Sequence, residues 1–471
     1  MQTAHLKIGS DWQESENGKT ITLNSPWDLN PFAQVQAASA KQATLAIDMA
    51  ANSFLTWRNT SLSARLEIFE KIIARLIESK DELAQVLSKE IGKFPKDAES
   101  EINRSIGYIK LVMQALAQQT GRLYYGDITG QYERMRKTGL YTREPLGVIL
   151  AISSFNYPIN LSITKIAPAI LAGNTVVFKP ATQGSFSATA FYSKFFEAGL
   201  PDGVLNIVTG SSSEIGDVLI TDERIKLIAF TGSTGVGRHI GKISTGIPLL
   251  LELGGKDAAI VTNNSDIEVA TSEIVSGGFS YCGQRCTAQK IVIAYDGIAD
   301  KLRDKLVEKS ALLDLNPMID EASADYIGEL ITDATEKGAH LALSGQRSKN
   351  HWQASIIDKI SPEMRIFSEE QFGPVLPIIR VKDEQEAIKV HAELKYGLQA
   401  SVYSQDIDEA FRISSKLEVG TVQINARTDR GPDNFPFGGV NDSGQFMQGT
   451  IETLELMTRG KLTVVNLHNL D

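Results

Sequence analysis

Val148-Ile149-Leu150-Ala151-Ile152 is a short apolar run that gives way to Ser153-Ser154-Phe155-Asn156-Tyr157-Pro158. A run of this length, rich in residues that suit strands and closed by small and polar residues and a proline, reads as a β-strand and its exit loop. Similar runs at 175–178, 204–208 and 225–230 are separated by helical segments, which is the βαβ rhythm of a parallel sheet. Asn156 then stands just past a strand's carboxyl end, where open α/β sheets bind ligands. A second series follows Gly255, with strands expected at 291–294, 375–381, 400–403 and 421–424. Upstream, Leu66, Phe69, Ile72, Ile73, Leu76 and Ile77 recur at helical spacing behind Ser61 and Ser63, predicting an amphipathic helical stretch over 61–92. The expectation is two α/β domains joined near 253–256.

With 471 residues the chain can hold two or three domains, and 42% hydrophobic with 22% charged residues is ordinary for a globular protein. No apolar run approaches the roughly 20 residues of a membrane span. Residues 1–10 lack the basic start and apolar core of a secretory signal, so a cytoplasmic location is expected. Two cysteines four positions apart cannot staple a fold of this size, which suits a reducing compartment. The six histidines show no paired spacing for metal ligands, so no metal is expected. A net charge of −10 argues against a nucleic-acid partner, yet a few arginines converging in one cleft can still hold a small anion.

The chemistry concentrates in residues 279–288, FSYCGQRCTA, where Cys286 follows Arg285 in a glycine-containing turn. A thiolate attacks carbonyl carbon readily, and neighbouring positive charge favours it over the thiol. The other reading of such a cysteine is a small buried apolar residue. Upstream, Leu251-Glu252-Leu253-Gly254-Gly255-Lys256 sets a carboxylate in an apolar run. Burial there should raise its proton affinity toward the range of a general base.

Cys286, Glu252 and Asn156 in these surroundings resemble the aldehyde dehydrogenase superfamily over nearly the whole chain. Phe178-Lys179-Pro180, the 230–237 segment FTGSTGVG, Glu370-Gln371-Phe372-Gly373-Pro374-Val375 and Tyr396-Gly397-Leu398 carry the same resemblance in the same order. It implies a Rossmann-like cofactor domain (1–119 and 143–253), an α/β catalytic domain (254–429), and an arm and C-terminal segment (120–142 and 430–471) pairing into a small oligomerisation sheet. A homo-oligomer, dimer or tetramer, follows from it. So do the roles of Cys286 as nucleophile, Glu252 as base for thioester hydrolysis and Asn156 as oxyanion donor.

The turn from Gly232 to Gly237 lies between a strand and a helical stretch and could bring backbone N–H groups to a phosphate. It lacks the G-x-G-x-x-G spacing, so by itself it also reads as a plain loop, and it supports a nicotinamide cofactor only through the resemblance. That resemblance carries Ser153, Lys179, Thr182, Asp217, Gly232, Ser233, Gly237, Leu253, Glu370 and Phe372 into the cofactor site. Many NAD-preferring relatives have a Glu where this chain has Thr182. A hydroxyl there does not repel a 2′-phosphate, so NADP is expected, with NAD possible.

Within the superfamily the chain is most similar to the non-phosphorylating glyceraldehyde-3-phosphate dehydrogenases, which share residues 155–158, 283–287 and the 430–437 segment RGPDNFPF. The resemblance assigns the substrate phosphate to Tyr157, Arg285, Arg430 and Arg104, with Thr287 beside the nucleophile. Another small aldehyde, such as succinate semialdehyde or lactaldehyde, would use the same core without needing three arginines. A non-enzymatic role on this fold would tolerate loss of the nucleophile or base, and all three catalytic residues are present. Two departures stand out. Phe437-Gly438-Gly439 replaces a more usual Phe-Leu-Gly and is expected to open the pocket wall, and Cys282 stands where Ser or Asn is common, either as a packed thiol or as an oxidative lock on Cys286.

Overall fold

The computed structural model describes residues 1–118, 121–126 and 137–466. Its first sheet has a parallel core in the spatial order Leu249–Glu252, Ile225–Thr231, Val148–Ile152, Thr175–Lys179, Leu205–Ile207. Antiparallel strands close its edges, Gly444–Gln445 on one side and Leu6–Ile8 with Asp11–Gln13 on the other. Alternation along Val148–Ile152 explains why the strand is apolar throughout. Ile149 and Ala151 enter one core with Phe191 and Phe195, while Val148, Leu150 and Ile152 enter the opposite one with Ile47 and Ile240.

From Val148–Ile152 the chain first builds outward through Thr175–Lys179 and Leu205–Ile207. It then returns to the other flank with Ile225–Thr231. That reversal opens a crevice at the carboxyl ends of Val148–Ile152 and Ile225–Thr231, the place where such sheets take ligands.

The chain leaves this sheet after Glu252 and enters a second with Asp257–Val261. Strand order there is His340–Leu343, Ser355–Asp358, Val375–Val381, Gln289–Tyr295, Asp257–Val261, Gln399–Tyr403, Thr421–Ile424. All neighbours are parallel except the first pair. Strands expected from the apolar runs are found within a residue or two of their positions. Ser355–Asp358 and Leu6–Ile8 are strands beyond those expected.

The helical stretch over 61–92 is two helices, Leu62–Glu78 and Lys80–Ile91, parted at Ser79. Ser61 caps the first by accepting from the Ala64 amide, and Gly92 ends the second in the left-handed region at φ 68°. A third, antiparallel sheet pairs Thr458–Asn466 with Lys137–Pro145, and the latter with Arg122–Tyr125. The expected arm is thus paired with the C-terminal strand. Residues 119–120, 127–136 and 467–471 of these segments lie outside the described residues.

Candidate active site

Three successive residues ahead of Cys286 occupy the left-handed backbone region, Tyr281 (φ 51°), Cys282 (56°) and Gly283 (70°). Tyrosine and cysteine rarely adopt it, and such strain collects at functional loops that their surroundings hold firmly. The holding groups are evident here. The Gln284 side chain donates to the Pro317 carbonyl (3.2 Å) and accepts from the Ile319 amide (2.8 Å). Asn156 Nδ2 donates to the Gln284 carbonyl at 3.0 Å. Lys290 Nζ donates to the carbonyls of Arg285 (2.8 Å) and Cys286 (2.7 Å). Cys286 stays partly exposed, whereas Cys282 is buried in the apolar core of the second sheet, and both are free thiols.

Arg285 does not supply the positive charge expected beside the thiol. Its guanidinium turns away, donating to the Gly277 carbonyl at 2.7 Å and lying 3.7 Å from Asp429. Burial and then the Glu252 carboxylate push the Cys286 thiol up to about 12, and the cations that pull against them are Lys290 and Arg430.

Glu252 corrects a second expectation. Burial alone would raise its proton affinity, but Arg430 and Lys165, with hydrogen bonds from Gln448 and Thr231, outweigh burial and hold the carboxyl below its ordinary value. Arg430 Nη1 lies 3.1 and 3.2 Å from the two carboxylate oxygens. Gln448 Nε2 donates at 2.6 Å and Thr231 Oγ1 at 3.0 Å, while Lys165 Nζ is 3.9 Å away.

The crevice at the sheet reversal carries groups that lack partners. Lys179 is buried at its strand's carboxyl end, its Nζ makes no hydrogen bond or ion pair among the described residues, and burial pushes the ammonium down to about 8. Ser153 Oγ is buried and unpartnered. Ser233 occupies the N-cap position of helix Thr234–Ile243 without a side-chain cap, so amides at that helix end remain free. An unpaired ammonium, an orphan hydroxyl and an open helix end fit the hydroxyls and phosphates of a dinucleotide. Thr182 is exposed.

Gly237 serves packing: a Cβ there would come within 2.4 Å of Leu253, so the glycine lets the helix settle on that side chain. On the facing side, Glu370 accepts from the Gly255 amide at 2.9 Å and pairs with Lys290 at 3.1 Å. Phe372 meets Phe155 edge to face at 5.9 Å. Asp217 is not drawn into this set; it is exposed and bonded to His239 at 2.8 Å.

The four phosphate candidates are neighbours. Tyr157 is half-buried, and its hydroxyl is pushed up to about 12, chiefly by desolvation, while it feels the charges of Arg285, Glu101, Asp429 and Arg104. Arg104 forks onto Asp433 at 2.8 and 2.7 Å and also donates to the Arg430 carbonyl at 2.5 Å. Arg285 Nε is buried without a partner. Thr287 is buried, its carbonyl accepting from Thr428 Oγ1 at 2.8 Å.

Several residues in the site carried no signal in the sequence. Lys93 lies 3.3 Å above the Tyr157 ring, and Lys165 and Gln448 reach Glu252 from distant elements. Lys290 lies four positions past Cys286, close enough to the motif for the sequence to point to it. The departure at Gly438 opens nothing, because a Cβ there would stand 2.6 Å from the Phe446 carbonyl oxygen, so backbone fills the space.

Residues 12–463 match the profile of the Aldehyde dehydrogenase family, and the chain belongs to that family. It is 41% identical over 469 residues to an NADP-dependent glyceraldehyde-3-phosphate dehydrogenase of Pisum sativum, covering 97% of this chain and 94% of that one. An enzyme of the same name from Streptococcus equinus is 41% identical and is matched over 98% of both chains. Among solved structures, the NADP-dependent glyceraldehyde-3-phosphate dehydrogenase of Bacillus halodurans C-125 complexed with NADP superposes with a TM-score of 0.97. It shows 42% identity and covers 99% of this chain and 100% of that one.

Proposed function

We infer that the protein oxidises glyceraldehyde 3-phosphate to 3-phosphoglycerate with NADP. The observation that carries this reading is the gathering of Tyr157, Arg104, Arg285 and Arg430 around the Cys286–Glu252 centre in a chain of net charge −10. A small anionic aldehyde is what such a pocket would hold, and the relatives' shared name agrees with it.

Cys286 Sγ gives up its proton to solvent water and adds as the thiolate to the aldehyde carbon, whose π electrons move onto oxygen. Asn156 spends one amide hydrogen on Gln284, leaving the other for the oxyanion of the thiohemiacetal. NADP, when bound, would supply the hydride acceptor, and Ser153, Lys179, Thr182, the amides after Gly232 and Ser233, and Glu370 would hold it. Glu252 then takes a proton from water as the water oxygen attacks the thioester. The carbon–sulfur bond breaks, and Cys286 leaves as the thiolate. Phosphate takes no part as nucleophile, so no acyl phosphate forms.

The division at 253–254 and a homo-oligomeric state, dimer or tetramer, belong to the same reading. Exposed Leu123, Tyr125, Leu462 and Val464 on the third sheet support association through it. A cytoplasmic site of action suits two free thiols. The direct test is NADPH formation from glyceraldehyde 3-phosphate by purified protein in phosphate-free buffer. Absence of NADPH, or an equal efficiency with unphosphorylated glyceraldehyde, refutes the reading.

A further inference from the structure

We propose that the substrate's phosphate is an activator as well as an anchor: by engaging Arg430 it frees Glu252 to act as the base for thioester hydrolysis. The inference rests on glyceraldehyde 3-phosphate as substrate.

The three arginines around the phosphate position are each held by a carboxylate, but not by equivalent ones. Arg104 is held by Asp433 and Arg285 faces Asp429, aspartates with no task in the chemistry. Arg430 is held by Glu252, the base itself. A guanidinium bonded to both carboxylate oxygens stabilises the ionised form and opposes uptake of a proton from water.

The other groups facing Glu252 cannot replace Arg430 in this. Gln448 and Thr231 are neutral. The Cys286 thiol is consumed in the thioester. Lys165 stands farther off at 3.9 Å and directs its ammonium to Thr231 Oγ1 (2.6 Å) and the Leu161 carbonyl (3.1 Å). Burial has also brought Lys165 down to about 8, so its proton is loosely held.

A phosphate dianion on Arg430 offsets the cation bonded directly to Glu252 and adds negative charge nearby. Both effects raise the proton affinity of the carboxylate at the stage when a base is needed. An unphosphorylated aldehyde meets the same nucleophile and oxyanion donor, so it acylates Cys286 but leaves Glu252 tied to Arg430.

Inorganic phosphite dianion serves as the detached phosphate. Glyceraldehyde is mixed with enzyme and NADP, and decay of the thioester on Cys286 is followed with and without phosphite. In the wild type, phosphite should speed decay about tenfold or more, a part of the 10²–10⁴ a positioned base supplies, while leaving the initial NADPH burst unchanged. In Arg430→Leu and Arg430→Lys that response should vanish or shrink. A second measurement needs neither cofactor nor turnover: infrared titration of the Glu252 carboxyl in the cofactor-free protein, assigned with Glu252→Gln. Its midpoint should rise when phosphite is added.

Phosphite without effect on thioester decay, in an enzyme that oxidises glyceraldehyde 3-phosphate well, overturns the proposal and leaves the substrate reading intact. An unmoved infrared midpoint does the same. Failure to prefer glyceraldehyde 3-phosphate over glyceraldehyde removes the substrate reading, and this inference with it.

Discussion

Replacing Arg285 by leucine tests the phosphate grip where the structure is most explicit. The guanidinium is buried, donates to the Gly277 carbonyl at 2.7 Å, keeps its Nε buried without a partner, and acts by its charge on the Tyr157 hydroxyl. A buried donor left open in a site of converging cations awaits an acceptor. A hydrogen bond to a charged group contributes about 1.5–3 kcal/mol, which corresponds to roughly 10- to 150-fold in kcat/KM. The substitution also strands the Gly277 carbonyl, at a cost of about 1–3 kcal/mol in stability, and lowered stability alone depresses every rate.

For that reason the assay is a ratio. Efficiency with glyceraldehyde 3-phosphate is divided by efficiency with glyceraldehyde, for the wild type and for Arg285→Leu, at a temperature where both remain folded. Both aldehydes present the same carbonyl to Cys286, so damage to the nucleophile or to folding cancels. The ratio should fall by about 10- to 150-fold. Arg104→Leu should lower it as well, since Arg104 forks onto Asp433 beside the same group. A ratio unchanged in both variants refutes the assignment of these arginines to a phosphate.

Thr182→Glu should reverse or erase a preference for NADP over NAD, read as the ratio of the two efficiencies; an unaltered ratio removes Thr182 from the cofactor site. Glu252→Gln should keep a burst of NADPH of about one equivalent and then slow the steady state by about 10²–10⁴, and a steady state equal to the wild type's excludes Glu252 as the base. Stability should carry a signature of His391, whose burial pushes its imidazole down to about 4 from an ordinary value near 6.5. The unfolded chain binds that proton more readily, so stability is full above pH 6.5 and declines as pH falls toward 4, by about 2 kcal/mol at pH 5. His391→Gln should flatten that part of the dependence of the thermal midpoint on pH, and an equal decline in both proteins counts against it.

The strands and the candidate reacting groups were legible in the chain because each announces itself locally. An apolar run between turn residues reads as a strand wherever it packs, and Cys286, Glu252 and Asn156 each lie within a contiguous motif. Two expectations about charge failed, both because they treated neighbours in sequence as neighbours in space. Arg285 precedes Cys286, yet its guanidinium leaves toward Gly277 and Asp429, and the cations that act on the thiol come from Lys290 and Arg430. Glu252 sits among leucines, yet Arg430, 178 positions away, holds its carboxylate ionised. The pairing of Lys137–Pro145 with Thr458–Asn466 joins segments more than three hundred residues apart, as the family resemblance implied and periodicity alone could not. Periodicity states which side chains leave water; which partner each one meets there is decided by the tertiary fold, and Coulomb interactions depend on that distance and on nothing in the order of the chain.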